Sequence, residues 1–167
     1  MNWTLTLLIS PLFNDALMTR EARRPAVPPF LPWRLAGGEL RKARILLIED
    51  DMAIALMYQL QLTTDGYEVE LATDGASGLH RVQHAPPDLV LLDLRLPNLP
   101  GLEVLRVIGL DPRLAALPVL ILSNYGEPEM VREGLGLGAR DYLIKSRLTP
   151  GQLSLKLRDY LPPATSD

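Results

Sequence analysis

The chain has 167 residues, of which 47% are hydrophobic, with a formal net charge of −3 and no cysteine. This length and apolar content predict one domain with a substantial core, and the lack of cysteine excludes disulfides and thiolate metal sites. Residues 1–43 carry six Lys/Arg against three Asp/Glu, whereas residues 44–167 carry eleven against seventeen. An acidic body argues against nonspecific binding of nucleic acid. No apolar run reaches the roughly 18 residues of a membrane span, so we expect no membrane partner. From the lack of cysteine and the acidic body, we expect a cytoplasmic protein without a nucleic-acid partner.

The first 43 residues differ in composition from the rest of the chain. Four prolines between residues 25 and 32, followed by the pair Gly37-Gly38, favour extended and poorly ordered backbone. We therefore predict a poorly ordered N-terminal extension over 1–43, with a plain linker favoured over a proline-rich recognition motif. A later start codon, such as Met18, is an alternative that the sequence leaves open. Residues 162–167 are predicted to form a C-terminal tail.

From residue 44 onward, short apolar runs alternate with stretches of helical periodicity. The apolar runs predict strands over 45–48, 67–72, 89–92, 119–122 and 142–144. The periodic stretches predict helices over 52–64, 75–84, 102–110, 129–137 and 150–161, the last capped by Thr149. Five strands alternating with five helices predict an α/β domain over 44–161, a doubly wound, three-layered parallel sheet of the flavodoxin-like type.

Three glycines, Gly134, Gly136 and Gly138, are predicted to lie inside the fourth helix. A glycine within a helix costs about 1 kcal/mol relative to alanine. We expect this helix to be loosely held, as suits a surface that rearranges. A dinucleotide-binding loop is not favoured, because such a loop lies between a strand and a helix.

Polar side chains follow four of the predicted strands. Parallel strands end at one edge of the sheet, where ligands bind in this architecture. Each residue alone has a structural explanation; for Asp51, capping of the first helix is the favoured one. Together they favour a site. The residues concerned are Glu49, Asp50 and Asp51 after the first strand, Asp93 after the third, Ser123 after the fourth and Lys145 after the fifth.

The chemistry of this set is coherent. Asp50 and Asp93, with Glu49 nearby, repel one another unless a hard cation lies between them, and few carboxylates with room for water favour Mg²⁺ over Ca²⁺. A metal ion offsets the charge of an incoming phosphoryl group, so that an aspartate can act as nucleophile and form an acyl phosphate. Lys145 and Ser123 can then bind phosphate oxygens.

The segments 45–51, 88–97 and 141–145 resemble the motifs of response-regulator receiver domains, the CheY-like domains of two-component signalling. They occur in the family's order, with 30 residues from Asp93 to Ser123 and 52 from Asp93 to Lys145. The resemblance implies that Asp93 is the phosphoacceptor. It also implies a Mg²⁺ site formed by Glu49, Asp50, Asp93 and the main-chain carbonyl of Arg95, with Asp50 as a direct ligand.

The same resemblance implies a switch. In this switch, Ser123 supplies the hydroxyl group and Lys145 the lysine that binds the phosphoryl group. Tyr142 is the aromatic residue that changes rotamer on activation. The phosphoryl donor is expected to be a sensor histidine kinase or a phosphotransfer protein. The output surface is expected to comprise the fourth helix, the fifth strand and the fifth helix, which bind a downstream protein or, upon phosphorylation, a second copy of the chain. Because the chain ends six residues after Leu161, we expect a stand-alone receiver that catalyses only its own phosphorylation and dephosphorylation.

Two positions depart from the common family pattern, and two others are positions where the family varies. Ser146 replaces the usual proline after Lys145, so a cis bond there would cost about 2.5–4 kcal/mol. Asn124 replaces a small residue and is expected to narrow the site. Arg95 and Tyr125 lie two residues beyond Asp93 and Ser123, where we predict that they obstruct attacking water and slow dephosphorylation.

Two other functions compete with this interpretation. One is a receiver-like interaction module that signals without phosphorylation, against which the complete set of site residues argues. The other is an aspartate-nucleophile phosphohydrolase, which needs a second acid two residues beyond the nucleophile. Arg95 occupies that position.

Overall fold

The structure, a computed structural model, describes residues 41–161. The predictions of a poorly ordered extension and of a C-terminal tail therefore fall largely outside the described residues. The described part begins within the predicted extension: Ala43 is buried, and Arg41 pairs with Asp88. The folded domain thus includes residue 41.

Five strands and five α-helices alternate along the described residues. The strands are β1 (Arg44–Ile48), β2 (Glu68–Ala72), β3 (Leu89–Leu92), β4 (Val119–Ser123) and β5 (Asp141–Ile144). The helices are α1 (Met52–Thr64), α2 (Gly75–His84), α3 (Gly101–Leu110), α4 (Pro128–Gly136) and α5 (Pro150–Leu157). All strand pairs are parallel, in the order β2-β1-β3-β4-β5. The predicted doubly wound sheet is confirmed.

The three central strands are buried on both faces, which is why they consist of continuous apolar runs. Alternate residues of these strands face opposite layers. One layer contains Ile45, Leu47, Leu89, Leu91, Leu120 and Leu122, packed with buried residues of α1 and α5. The other contains Leu46, Ile48, Val90, Leu92, Val119 and Ile121, packed with residues of α2 and α3. The sheet is therefore the middle of three layers.

The last helix is shorter than predicted. It begins as expected, with a capping box in which Thr149 and Gln152 satisfy each other's main-chain N–H groups. It ends at Leu157, and the chain continues in turns to Leu161. Both Tyr160 and Leu161 donate a main-chain hydrogen bond to the carbonyl of Leu157. Apolar periodicity continues to Leu161 because that side chain still packs into the core, which explains the error.

The glycines of α4 serve packing and helix termination. Gly134 is buried, and a Cβ atom at that position would collide with the side chain of Ile121. Gly138 lies beyond the end of the helix with φ at +103°, a conformation that favours glycine. The expectation that all three glycines lie within the helix is wrong for Gly138. Gly134 is the only fully buried residue of α4, so the helix has few side chains anchored in the core.

Candidate functional site

A polar cleft of about 230 Å³ lies at the carboxyl ends of β1, β3, β4 and β5. Polar residues directly follow β1, β3 and β5, and a polar residue ends β4. Polar side chains therefore collect at this edge of the sheet. Ser123 does not line the cleft and lies fully buried beside it, as the last residue of β4. The lining residues are Glu49, Asp50, Asp51, Ile54, Asp93, Arg95, Asn124, Tyr125 and Lys145.

The carboxylate of Asp93 is held from two sides. One oxygen, Oδ1, accepts hydrogen bonds from the N–H groups of Leu94 at 2.6 Å and Arg95 at 3.4 Å. The other, Oδ2, accepts one from Lys145 Nζ at 2.8 Å. The side chain is 9% exposed, so it is fixed in place yet open to the cleft. A carboxylate held in this way is pre-oriented toward anything that enters the cleft.

Lys145 joins two carboxylates. Its buried ammonium lies 2.5 Å from Glu49 Oε2 and 2.8 Å from Asp93 Oδ2. Burial by itself lowers the pKa of Lys145, but the hydrogen bonds and charges of Asp93 and Glu49 outweigh it, and the net pKa is raised. The lysine therefore remains charged at neutral pH and neutralises one of the neighbouring negative charges.

The acidic cluster carries more negative charge than Lys145 balances. Glu49, Asp50 and Asp93 each place a carboxylate oxygen within 4.8 Å of the other two. Burial raises the pKa of Glu49 despite its contact with Lys145, and the nearby charge of Asp93 acts in the same direction. Asp50 is exposed at the rim. An oxygen-only donor set open to water fits Mg²⁺ better than a softer metal ion.

Asp51 lines the cleft, but its carboxylate caps the N-terminus of α1. Its carboxylate accepts hydrogen bonds from the N–H groups of Ala53 at 2.9 Å and Ile54 at 3.2 Å. These are two of the donors at a helix N-terminus that lack partners within the helix. The structural explanation favoured from the sequence is confirmed for this residue.

The two predicted switch residues, Ser123 and Tyr142, bind the same neighbour. Ser123 Oγ accepts a hydrogen bond from the N–H of Tyr125 at 3.2 Å. The Tyr142 hydroxyl donates to the carbonyl of Tyr125 at 2.6 Å. Sequence reasoning identified all three residues separately and missed this connection, because main-chain contacts of a loop leave no pattern in the residue types.

Arg95 and Tyr125 stack on each other beside the cleft. The guanidinium carbon of Arg95 lies 3.8 Å from the centre of the Tyr125 ring, within the range of a cation–π interaction. Because both residues line the cleft, their contact joins the loop after β3 to the loop after β4. Nearby, Lys145 begins a 3₁₀ turn, Lys145–Arg147. The bond to Ser146 is trans, as are all peptide bonds of the described residues.

Comparison with known proteins assigns the family. The family profile of the response regulator receiver domain matches residues 45–158. The chain therefore belongs to the receiver domains of two-component response regulators, which are signalling switches. As a general property, the family accepts a phosphoryl group and binds Mg²⁺ at an acidic pocket. The residues that perform these tasks in this chain are taken up below.

Solved structures resemble the fold closely. The chemotaxis protein CheY4 of Vibrio cholerae is 30% identical, with a TM-score of 0.67, covering 72% of this chain and all of that protein. The Mn²⁺-bound form of response regulator Rcp1 is 29% identical, with a TM-score of 0.66, covering 75% of this chain and 99% of that one.

Curated relatives are longer than this chain. The DNA-binding dual master transcriptional regulator RpaA of Synechocystis is 40% identical over 102 residues, which are 61% of this chain and 42% of that protein. Response regulator ArlR of Staphylococcus epidermidis is 38% identical over 101 residues, which are 60% of this chain and 45% of the relative. The chain spans about half the length of such relatives, and some are DNA-binding proteins. The expectations of a stand-alone receiver and of no nucleic-acid partner therefore stay predictions.

One further prediction concerns membranes. None of the helices within residues 41–161 is long and apolar enough to cross a bilayer.

Proposed function

We propose that this chain is a cytoplasmic phosphorelay receiver that accepts a phosphoryl group on Asp93 and signals to a protein partner. The observation that carries the proposal is the position of Asp93. Its carboxylate opens into a polar cleft, 2.8 Å from a buried lysine and beside the carboxylates of Glu49 and Asp50. Family membership supports the reaction type, and the geometry supports the choice of residue.

Phosphoryl transfer to Asp93 replaces one bond to phosphorus with another. A carboxylate oxygen of Asp93 forms a bond to phosphorus while the bond from phosphorus to the donor's histidine nitrogen breaks. That nitrogen keeps the electron pair, and because the other ring nitrogen carries a proton, the histidine leaves as neutral imidazole. Asp50 and Asp93 would hold Mg²⁺, with Glu49 nearby and the Arg95 carbonyl as a further ligand. When bound, the ion offsets negative charge on the phosphoryl group and on the carboxylate.

Lys145 and Ser123 would bind oxygens of the phosphoryl group once it is on Asp93. The lysine now bonded to Asp93 Oδ2 would donate to a phosphoryl oxygen. Ser123 would move toward another oxygen and donate its hydroxyl proton, which breaks the bond it accepts from Tyr125. Because Tyr142 also binds Tyr125, the change reaches β5. We propose that the face formed by α4, β5 and α5 then binds its partner or a second copy; that partner must bind the two states with different affinity.

A surface of this chain that could bind the phosphoryl donor lies beside the cleft. Ile54 of α1 lines the cleft, and one exposed face of the same helix carries Met52, Leu56 and Leu60, which are 45%, 51% and 72% exposed. Apolar residues at this spacing form a continuous stripe along a helix. We propose that the histidine-bearing helix of the kinase or phosphotransfer protein covers this stripe when it reaches Asp93.

Phosphorylation by a small donor tests the proposal. The full chain is incubated with acetyl phosphate and Mg²⁺, and its intact mass is measured. We expect the gain of one phosphoryl group, which Asp93→Asn abolishes. Asp51→Asn is the matched control; it removes a carboxylate from the same cleft but keeps a good helix cap, and the adduct should persist.

The other outcomes favour the competing functions. If the folded chain forms no adduct, it is an interaction module that works without phosphorylation. Rapid turnover of varied phosphomonoesters would identify a phosphohydrolase.

A further inference from the structure

The two histidines of the chain lie together on α2. The sequence contains only His80 and His84, four residues apart and both exposed. Their rings stack with centroids 4.0 Å apart and planes inclined by 22°. Residues at this spacing share one face of a helix. The opposite face of α2, with Gly78 and Val82, is buried against the sheet, so the imidazoles face solvent.

One ring is already oriented as a metal ligand would be. His84 Nδ1 lies 2.8 Å from the main-chain carbonyl of His80. Because a carbonyl can only accept a hydrogen bond, Nδ1 carries the proton, and in the neutral ring Nε2 keeps its lone pair. Histidines that bind metal ions usually donate their other ring N–H to such an acceptor, which fixes the tautomer. The contact therefore presents Nε2 of His84 to solvent as a donor.

The helix beneath the pair is firmly seated. A Cβ atom at Gly75 would collide with the carbonyl of Leu99, and one at Gly78 would collide with the side chain of Ile48. This close packing and the Asp74 cap, which accepts from the N–H of Ser77 at 2.9 Å, hold the backbone in place. Two ligands on a rigid element need little ordering when an ion binds.

The local charge permits a cation. Arg81 is the residue between the histidines that carries a positive charge, and it is directed toward β2, where it lies 3.6 Å from Glu70 Oε2. The pair is chemically unlike the acidic cleft, which offers only oxygen donors. Imidazole nitrogen suits Zn²⁺, Ni²⁺ and Cu²⁺, whereas Mg²⁺ prefers oxygen.

From these observations, we propose that His80 and His84 form a surface site for one divalent transition-metal ion of this class. Each histidine supplies one nitrogen, and water completes the coordination. The His80 ring leaves the stack by side-chain rotation, which is fast for an exposed residue, while His84 keeps its hydrogen bond to the His80 carbonyl. An ion that bridges residues four apart closes one turn of α2, so binding stabilises the native state.

Calorimetric titration with Zn²⁺ tests the proposal. The full chain without a histidine tag is titrated in excess Mg²⁺, which occupies oxygen sites. We expect one Zn²⁺ per chain and a Zn²⁺-dependent rise of the thermal midpoint. His80→Asn and His84→Asn should each weaken binding at least roughly tenfold and abolish the rise. Gln83→Ala, an exposed change on the same helix, is the matched control and should leave both unchanged.

Two results would overturn the proposal. One is a Zn²⁺ affinity that both histidine variants retain. The other is binding that Asp50→Asn or Asp93→Asn removes, which would place the ion in the acidic cleft. Neither result affects the proposed phosphoacceptor, because the acetyl phosphate experiment reads a different site.

Discussion

Buried carboxylates at the two ends of the parallel sheet differ in how fully their charge is paired. At the amino end, the side chain of Asp88 is 3% exposed, and its two oxygens accept bonds from Arg41 at 2.6 Å each and from the N–H of Arg44 at 2.7 Å. At the carboxyl end, Glu49 and Asp93 share the single ammonium of Lys145, and exposed Asp50 adds a third negative charge.

This difference shows which buried charges point to function. A buried carboxylate costs free energy unless it is paired and hydrogen-bonded. Asp88 meets that condition through its own neighbours, so it fastens the start of the domain to β3. The acidic cluster meets it only in part, because Glu49 and Asp93 share one ammonium and Asp50 adds a third negative charge. This excess of negative charge is the reason to expect a cation and a phosphoryl group there. Four predictions test this contrast, in order of decreasing effect.

Removal of the shared cation should have the largest effect. Lys145→Met leaves Glu49 and Asp93 buried without a positive partner, so we expect a loss of about 3 kcal/mol in the free energy of unfolding in metal-free buffer. Urea denaturation measures the loss. Added Mg²⁺ should restore part of it, and a variant as stable as the wild type would show that the carboxylates need no cation.

Removal of the cation at the amino end should cost less and leave function intact. Arg41→Ala removes two hydrogen bonds from buried Asp88, while the N–H of Arg44 remains; we expect a loss of about 2 kcal/mol. Phosphorylation by acetyl phosphate should be unchanged. Arg132→Ala, which removes an exposed ion pair with Glu129, is the control and should leave the denaturation midpoint in place. Loss of phosphorylation in Arg41→Ala would contradict the separation of the two ends.

The stacked pair at the cleft should control the lifetime of the phosphoryl group. An exposed cation–π contact contributes about 0.5–1 kcal/mol, which corresponds to roughly a two- to fivefold change in rate. We expect Arg95→Ala and Tyr125→Ala to speed dephosphorylation by this factor, followed as loss of the phosphorylated mass. Arg95→Lys keeps the charge and should lie between. A wild-type half-life of seconds would refute the obstruction of water.

Removal of a carboxylate at the carboxyl end of the sheet should raise the free energy of unfolding rather than lower it. Asp50→Asn relieves repulsion within the acidic cluster, and we expect the free energy of unfolding in metal-free buffer to rise by about 0.5 kcal/mol. Mg²⁺ should raise the thermal midpoint of the wild type, because it binds the native state, and should have little effect on the variant. Equal Mg²⁺ effects on both proteins would place the ion elsewhere.

The sequence predicted the residues at the strand ends better than the contacts between distant residues and between loops. Continuous apolar runs such as 89–92 favour strands covered on both faces, and the residue that follows such a strand lies at the edge of the sheet. Asp93 and Lys145 were predictable for that reason. The Arg41–Asp88 pair was not, because it joins residues 47 positions apart, and composition alone places Arg41 in the N-terminal extension. The Arg95–Tyr125 stack depends on two loop conformations, which residue periodicity does not encode.

Chemical trapping tests the central claim, that the unbalanced carboxyl end makes Asp93 the acceptor. The chain is phosphorylated with acetyl phosphate, reduced with borohydride, which converts an aspartyl phosphate to homoserine, and sequenced by mass spectrometry. We predict homoserine at position 93, dependent on Mg²⁺, with Asp88 and Asp50 unmodified. Homoserine at another aspartate, or equal labelling without Mg²⁺, would contradict the account.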